Sequence, residues 1–173
     1  MLALNGPAVG GGAAWFPGLA DIVIASKTTW LQCPFAALGL VPEFGSACNF
    51  PESIGVHRAN DFLMFGRKLT VQELEQWGLV NYIFEHEGFH GKVIEFLEEQ
   101  LKVNDGESMM EHKRLMNQPL IPGRLNALYE AVDALTERIV VDAPAARFVE
   151  KGRLMNGRFL LFSAMCIIVN GFS

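Results

Sequence analysis

Cysteine is scarce in this sequence, and the few cysteines are not arranged for cross-linking. Cys33, Cys48 and Cys166 are odd in number, lie far apart and form no Cys-x-x-Cys pair. Such spacing indicates neither a disulfide framework nor a thiolate metal site. We therefore expect the protein to occupy a reducing, intracellular compartment.

Positive charge is scarce as well. The 14 lysines and arginines are outnumbered by 19 aspartates and glutamates, which gives a formal net charge of −5, and basic clusters are few. Binding of nucleic acid requires a basic patch, so we expect no nucleic-acid partner.

Long hydrophobic runs and a secretory leader are both missing. The apolar stretch at residues 159–169 is shorter than the roughly 20 residues that a membrane-spanning helix needs. Met1 is not followed by a basic and then apolar leader, so the sequence predicts no signal peptide and no membrane span. Two explanations of the apolar tail stay open: a docking strand or helix, or read-through from a wrongly predicted exon.

The chain is long enough for one domain with a hydrophobic core, since half of its 173 residues are apolar. Residues 2–9 predict a buried strand. A helix is expected to follow from Gly12, and Pro17 and Gly18 are expected to shorten or kink it. Thr70 and Glu73 form a capping box. Further strands are predicted at 22–25, 30–32 and 79–84, and further helices at 55–65, 71–77, 89–101, 107–116, 125–139 and 142–156.

Three successive glycines, Gly10, Gly11 and Gly12, are the feature around which we interpret the chain. Without a Cβ, they let a ligand lie against backbone amides at a helix N-terminus, where the dipole favours negative charge. That arrangement suits a developing oxyanion. A tight strand-to-helix turn with close backbone packing explains the same glycines, and no Gly-Lys-Ser/Thr follows that would make a phosphate loop.

The next thirty residues decide between these interpretations. Residues 3–15 contain Asn-Gly-Pro-Ala-Val-Gly-Gly-Gly, residues 19–25 contain Ala-Asp-Ile, and residues 31–45 contain Leu-Gly-Leu-Val-Pro-Glu. In this order the motifs resemble the crotonase superfamily, the enoyl-CoA hydratase/isomerase family. The resemblance covers about residues 2–84.

The resemblance implies an α/β fold with three parts. These are the C-terminal part of a crotonase-like ββα spiral core at residues 1–85, a helical region of trimerisation type at 86–158, and a tail of unclear status at 159–173. In the family, an N-terminal half precedes the strand predicted at 2–9. We therefore expect this chain to be the C-terminal portion of a subunit, and the whole to form a homo-oligomer, a trimer by resemblance.

The resemblance also assigns site residues. The amide of Gly11 corresponds to one of two donors for the enolate oxygen, and the other lies in the preceding half. Glu43 corresponds to the acid/base residue of the Δ3,Δ2-enoyl-CoA isomerases. The remaining substrate-binding residues by resemblance are Gly10, Gly12, Pro34, Phe35, Leu38 and Pro42.

Isomerisation is favoured over hydration because the two glutamates of the hydratases are replaced here by Ala14 and Phe35, which cannot hold a water. The expected substrate is an acyl-CoA thioester, with coenzyme A as part of the substrate, no other cofactor and no metal. Alternatives are a catalytically inactive fragment that acts as an assembly module, and a hydratase. Some phrases, at 6–18 and 56–60, resemble fungal peroxisomal members of fatty acid and secondary metabolism, although the chain does not end in Ser-Lys-Leu.

Glu43 has a simpler interpretation from the residues alone. It follows Pro42 and is predicted to open a small helix that runs to residue 50. A carboxylate in the first turn is stabilised as an anion by the helix dipole, so Glu43 could be a helix cap and nothing more.

A rival motif predicts zinc chemistry. His86-Glu-Gly-Phe-His90 matches His-Glu-x-x-His, in which two histidines one turn apart bind zinc. Here the match follows a strand, Gly88 separates the histidines, and no clear third ligand follows. A zinc hydrolase is therefore the minor alternative, and a solvated turn is the simpler interpretation.

Overall fold

The computed structural model describes residues 1–154. Within them the strands are β1 (Leu2–Leu4), β2 (Ala8–Val9), β3 (Val23–Ser26), β4 (Trp30–Gln32), β5 (Leu69–Thr70) and β6 (Tyr82–Phe84). The α-helices are α1 (Gly11–Leu19), α2 (Ser46–Ile54), α3 (Val56–Phe65), α4 (Val71–Gln76), α5 (Phe89–Val103), α6 (Gly106–Asn117), α7 (Ile121–Val140) and α8 (Ala143–Leu154). Two short 3-10 helices lie at Ala36–Leu38 and Gln118–Leu120. The predicted apolar tail lies outside the described residues.

Two strands and a helix form the repeating unit at the start of the chain. β1 pairs in parallel with β3, and β2 pairs in parallel with β4, so consecutive strands enter two different sheets. The single strand predicted at residues 2–9 is therefore wrong. The chain turns between the strands because Gly6 has a φ of +146° and Pro7 has no amide hydrogen to give to a ladder.

The first sheet has the order β1-β3-β6 and is entirely parallel, whereas the second, β2-β4-β5, ends in an antiparallel pair. All four residues of β3 are buried, as expected for a central parallel strand. The strand predicted at 79–84 begins only at Tyr82. Leu79 and Val80 are buried in a turn instead, where both amides donate to the carbonyl of Leu74.

The hydrophobic core lies between the strands and the first four helices. Phe50 of α2 and Phe62 of α3 are fully buried and their ring centroids are 5.2 Å apart. The capping box is confirmed, since Thr70 Oγ1 accepts from the Glu73 amide and a Glu73 carboxylate oxygen accepts from the Thr70 amide. Phe65, the last residue of α3, is 78% exposed although it is apolar, because Gly66 ends the helix there.

The C-terminal helices fold back onto the segment that follows β4. Arg138 Nε of α7 donates to the carbonyl of Gly39 at 3.3 Å, and Arg147 Nε of α8 donates to that of Ala37 at 3.4 Å. α7 starts earlier than the predicted residue 125, because Pro122 sits in its first turn, where the missing amide hydrogen costs nothing. None of the helices in residues 1–154 combines the length and apolarity needed to cross a membrane.

Candidate active site

The glycine triplet lies where β2 passes into α1. Gly10 is the residue before the helix and has a φ of +67°, which glycine adopts without strain. Its amide donates to the carbonyl of Gln32 at 2.8 Å, so the start of α1 is fixed beside the end of β4. The amides of Gly11 and Gly12 belong to the first turn and have no intrahelical acceptor. They are therefore available, with the helix dipole, to an oxyanion.

Trp15 lies against Gly11. A Cβ on Gly11 would be 2.4 Å from Cζ2, 2.7 Å from Cε2 and 2.8 Å from Cη2 of the indole. Helical side chains lean toward the preceding turn, which brings a residue over the one four positions earlier. The indole of Trp15 therefore leaves no room for a side chain at position 11. The close-packing interpretation of the glycines holds at this position, whether or not a ligand also binds there.

The indole nitrogen of Trp15 is an unusual feature of this contact. Nε1 is buried and has no hydrogen-bond partner within residues 1–154. Nε1 is bonded to Cε2, one of the three ring atoms nearest the Cβ position of Gly11. A polar hydrogen therefore lies close to the exposed end of α1.

Phe44 stacks on the same indole. The two ring centroids are 4.3 Å apart and the rings are tilted by 39°. Phe44 is 54% exposed and has a φ of +50°, which is uncommon for a residue with a side chain. Because Phe44 follows Glu43 directly, Trp15 connects Gly11 to the loop that carries Glu43.

Glu43 does not open a helix, so that prediction is wrong. α2 begins at Ser46, because Phe44 and Gly45 both have positive φ and interrupt the helical path. The backbone carbonyl of Glu43 accepts from the amide of Ser46 at 3.0 Å and from its hydroxyl at 2.6 Å. The carbonyl, and not the carboxylate, of Glu43 therefore contributes to the start of α2.

The carboxyl group of Glu43 is half-buried. Within the described part of the chain, it forms no ion pair and no side-chain hydrogen bond. Burial raises its pKa above the ordinary value of a glutamate, contrary to the predicted stabilisation of the anion by the dipole. A partly desolvated carboxyl without a partner is suited to accept and return a proton.

The other predicted site residues are distributed around this loop. Phe35 is 4% exposed and packs in the core, and Ala14 is fully buried there. Pro34, Leu38 and Pro42 are half-buried. Pro42 lines a groove of about 490 Å³ between the Glu43 loop and α7, together with Val41, Ala47, Asn126, Ala127, Glu130, Ala131 and Ala134. The substrate-binding roles of these residues stay predictions.

The zinc motif does not form the geometry that its spacing requires. α5 begins at Phe89, and Gly88 before it has a φ of +68°, so His86 and His90 do not lie on one helix. His86 Nδ1 is instead 3.2 Å from Thr28 Oγ1. Among the described residues, no group of three or more potential ligands lies close enough to hold a metal ion.

Sequence reasoning missed the roles of Trp15 and Phe44. The spacing of four residues from Gly11 to Trp15 is a signal that could have been used, because such pairs are neighbours on a helix surface. The contact between Trp15 and Phe44 joins two segments 29 positions apart by their numbers and leaves no local pattern.

The fold is shared with proteins of known structure. A crystal structure of an enoyl-CoA hydratase/isomerase from Pseudoalteromonas atlantica superimposes with a TM-score of 0.76 at 30% identity, over 86% of this chain and 60% of that one. An enoyl-CoA hydratase from Bacillus halodurans superimposes equally well at 20% identity, over 84% and 58% of the two chains, which shows a shared fold alone. The chain therefore has the crotonase fold.

Sequence comparison gives the family. The profile described as enoyl-CoA hydratase/isomerase matches residues 1–154, so the chain belongs to that family. A Δ(3,5)-Δ(2,4)-dienoyl-CoA isomerase of Pyricularia oryzae is 36% identical over 130 residues, 70% of this chain and 46% of that protein. Mouse chromodomain Y-like protein 2 is 48% identical over 84 residues, 49% of this chain and 16% of that protein. The chain thus spans less than half the length of these two relatives.

Proposed function

We propose that the protein is an enoyl-CoA isomerase that moves a C3 double bond of an acyl-CoA thioester to C2. The observation that carries the proposal is the half-buried carboxyl of Glu43, whose pKa is raised by burial and which has no partner within residues 1–154. The loop that carries Glu43 contacts the start of α1 through the ring of Phe44, which stacks on Trp15. Membership of the enoyl-CoA hydratase/isomerase family supports it.

The chemistry requires one carboxyl group and a donor for an oxyanion. Glu43 takes a proton from C2, and the electron pair of the broken bond moves toward the thioester oxygen to give a dienolate. The amide of Gly11 donates to that oxygen as its charge develops. Glu43 returns the proton to C4, which leaves the double bond between C2 and C3. The proton moves within the substrate, so the reaction needs no separate cofactor.

Water addition is disfavoured by the residues that surround the glycines. By the resemblance, the two positions that hold a water in a hydratase are Ala14 and Phe35, and both side chains are apolar and packed in the core. Hydration requires a positioned water and a second acid/base group. Isomerisation requires neither.

A mutation of Glu43 tests the proposal. In the full-length protein, Glu43→Gln is expected to lower the rate of conversion of trans-3-hexenoyl-CoA to trans-2-hexenoyl-CoA by about 10²–10⁴-fold, the usual contribution of an acid/base group. Glu75→Gln, at an exposed position of α4, is the matched control and is expected to keep the wild-type rate. Unchanged isomerisation in Glu43→Gln would contradict the assignment.

A catalytically inactive assembly module is the second candidate. Many apolar side chains of α6, α7 and α8 are exposed, including Met110, Tyr129, Val132 and Val140, and such faces fit contacts with other subunits. We propose that these helices join copies of the protein into a homo-oligomer, a trimer. An oligomer of this kind is compatible with an enzyme and with an inactive assembly module. The Glu43→Gln experiment decides between them, because only an enzyme has an isomerisation rate to lose.

A further inference from the structure

Cys33 lies beside the residue that precedes α1. It is fully buried, and its Sγ donates to the carbonyl oxygen of Gly10 at 3.6 Å. Burial raises the pKa of the Cys33 thiol, so the group is protonated and can donate a hydrogen bond, which a thiolate cannot do. Packing alone can bury a free cysteine, so the contact with Gly10 is what distinguishes this one.

The carbonyl of Gly10 and the amide of Gly11 belong to one peptide group. The peptide bond between them is trans and planar, so the carbonyl oxygen and the amide hydrogen point in opposite directions. The carbonyl points into α1, where it accepts from the amides of Ala13 and Ala14, both at 3.1 Å. The Gly11 amide therefore points out of the start of the helix, and any contact that turns the carbonyl also turns this amide.

Gly10 is held on its other side by the neighbour of Cys33. Its amide donates to the carbonyl of Gln32 at 2.8 Å, so two consecutive residues at the end of β4 bind the two backbone groups of Gly10. Hydrogen bonds within a helix leave its terminal peptide free to tilt, because helix ends fray. The contacts with Gln32 and Cys33 tie this peptide to the second sheet.

The segment that carries Cys33 is itself held in place by Gly66. Gln32 Nε2 donates to the carbonyl of Gly66 at 2.9 Å. Gly66 has a φ of +62°, and a Cβ there would be 3.1 Å from Cα of Pro34 and 3.2 Å from the carbonyl oxygen of Cys33. The thiol therefore approaches Gly10 from closely packed backbone. Such support is what a side chain needs in order to orient another group precisely.

We propose that Cys33 is a positioning residue for the isomerisation and acts through the peptide group that joins Gly10 to Gly11. Its thiol fixes the direction of the Gly11 amide toward the thioester oxygen, where negative charge develops. The inference rests on the proposed function, because it requires Gly11 to donate to that oxygen. Cys33 itself takes no part in the proton transfer.

Kinetics of the full-length protein with 3-hexenoyl-CoA are the first test. Cys33→Ala removes the donor and is expected to lower kcat about fivefold, the size of effect that a weak S–H···O hydrogen bond gives. KM is expected to stay within about twofold of the wild-type value, because the bond to the oxyanion strengthens in the transition state. Cys33→Ser removes a similar volume but keeps a donor, so its kcat is expected to stay within about twofold of wild type.

The infrared carbonyl band of a bound ligand tests the same claim without turnover. In the Glu43→Gln background, trans-2-hexenoyl-CoA with an isotope label at the thioester carbonyl is measured free and bound. A donor on the oxygen weakens the C=O bond, so the bound band is expected at lower frequency. Cys33→Ala is expected to lose about a third of that shift or more, and Cys33→Ser is expected to keep it.

Cys48→Ala is the matched control. The thiol of Cys48 donates to Oε1 of Glu52 at 3.2 Å and not to the start of α1, so its loss is expected to change neither kcat nor the carbonyl band. Cys33→Val fills the space with an apolar group that cannot donate, and it is expected to behave as Cys33→Ala does. It keeps the inference testable should Cys33→Ala fail to fold, which circular dichroism checks.

The outcomes separate this inference from the proposed function. Wild-type kcat and an undiminished carbonyl shift in Cys33→Ala and Cys33→Val would overturn the role of Cys33 and leave isomerisation untouched. Equal losses in Cys33→Ala and Cys33→Ser would also overturn it, since lost volume would then be the cause. A thiol-dependent shift in a protein that does not isomerise would support the role of Cys33 and overturn the chemistry. Absence of ligand binding, or of any carbonyl shift on binding, would overturn both.

Discussion

Glu43 shows how a residue's role depends on where the chain places it. The sequence predicts a helix cap whose anion is stabilised, yet the structure places the residue before α2 with its carboxyl half-buried. The error arises because Phe44 adopts a positive φ, which local propensity does not predict for phenylalanine. The resemblance nevertheless identified Glu43 as the candidate base, and the geometry is compatible with that assignment.

The raised pKa of Glu43 predicts a pH dependence of catalysis. The proposed reaction needs the carboxylate, and burial raises the pKa of this group. The acidic limb of kcat/KM is therefore expected at a pH above the roughly 4.3 of an ordinary glutamate. A pH–rate profile with 3-hexenoyl-CoA measures it, and a limb at or below the ordinary value would contradict the desolvated carboxyl.

The same shift predicts a pH dependence of stability. Because the pKa of Glu43 is higher in the folded state, its contribution to stability is complete below the unfolded pKa and is lost as pH rises through the folded pKa. Urea unfolding of wild type and Glu43→Gln between pH 4 and 8 measures this. The wild type is expected to lose stability relative to the variant as pH rises, and parallel curves would count against the shift.

At the scale of helices and strands, the sequence correctly predicted the features that depend on residues close together in the chain. The capping box of Thr70 and Glu73 and the end of α3 at residue 65 were both found as predicted. Elements that depend on distant partners were not. The stretch at 2–9 divides between two sheets, and the strand at 79–84 is shortened because Leu79 and Val80 pack beneath α4 in a turn. Hydrophobicity indicates burial, but it does not say which sheet a residue joins.

The docking of α8 onto the segment after β4 depends on Gly39. This residue has a φ of +72°, and a Cβ there would be 2.7 Å from the carbonyl oxygen of Ala143. Gly39→Ala is therefore expected to lower the free energy of unfolding by about 3 kcal/mol, from left-handed strain and the clash together.

Gly78→Ala provides the matched control for Gly39→Ala. Its φ is +83°, but a Cβ there would meet nothing within 4 Å, so only the strain of about 1–2 kcal/mol is expected. Equal losses in the two variants, measured by chemical denaturation, would show that α8 does not pack closely on Gly39.

Loss of the N-terminal cap of α4 is expected to lower stability by less than Gly39→Ala does. Thr70→Ala removes the side chain that accepts from the Glu73 amide and is expected to cost about 1 kcal/mol of stability. The box lies on a different loop from Glu43, so kcat is expected to stay at the wild-type value. Denaturation and a rate assay on the same preparation measure both quantities.

At the scale of the whole molecule, the distribution of apolar side chains divides the chain. The strands and first four helices enclose the core, whereas α6 to α8 leave large apolar residues exposed, among them Met116, Tyr129 and Val132. Such exposure is costly unless a partner covers it. A trimer, which the resemblance predicts, would supply such a partner, and that assembly remains a proposal.

Self-association is measured by light scattering coupled to size exclusion. The full-length protein is expected to elute as an oligomer, and Val132→Lys is expected to shift it toward the monomer because a charge is then buried at the contact. Met64→Lys, at a 59% exposed position of α3, is the control. A monomeric wild type would contradict the assembly.

The central claim is that one carboxyl group, without a positioned water, carries out isomerisation. The most direct measurement is product analysis of the full-length protein supplied separately with 3-hexenoyl-CoA and 2-hexenoyl-CoA. We predict that the double bond shifts between C3 and C2 and that no 3-hydroxyhexanoyl-CoA accumulates, because Ala14 and Phe35 are buried apolar residues. Rapid formation of the 3-hydroxyacyl product from 2-hexenoyl-CoA would contradict the account.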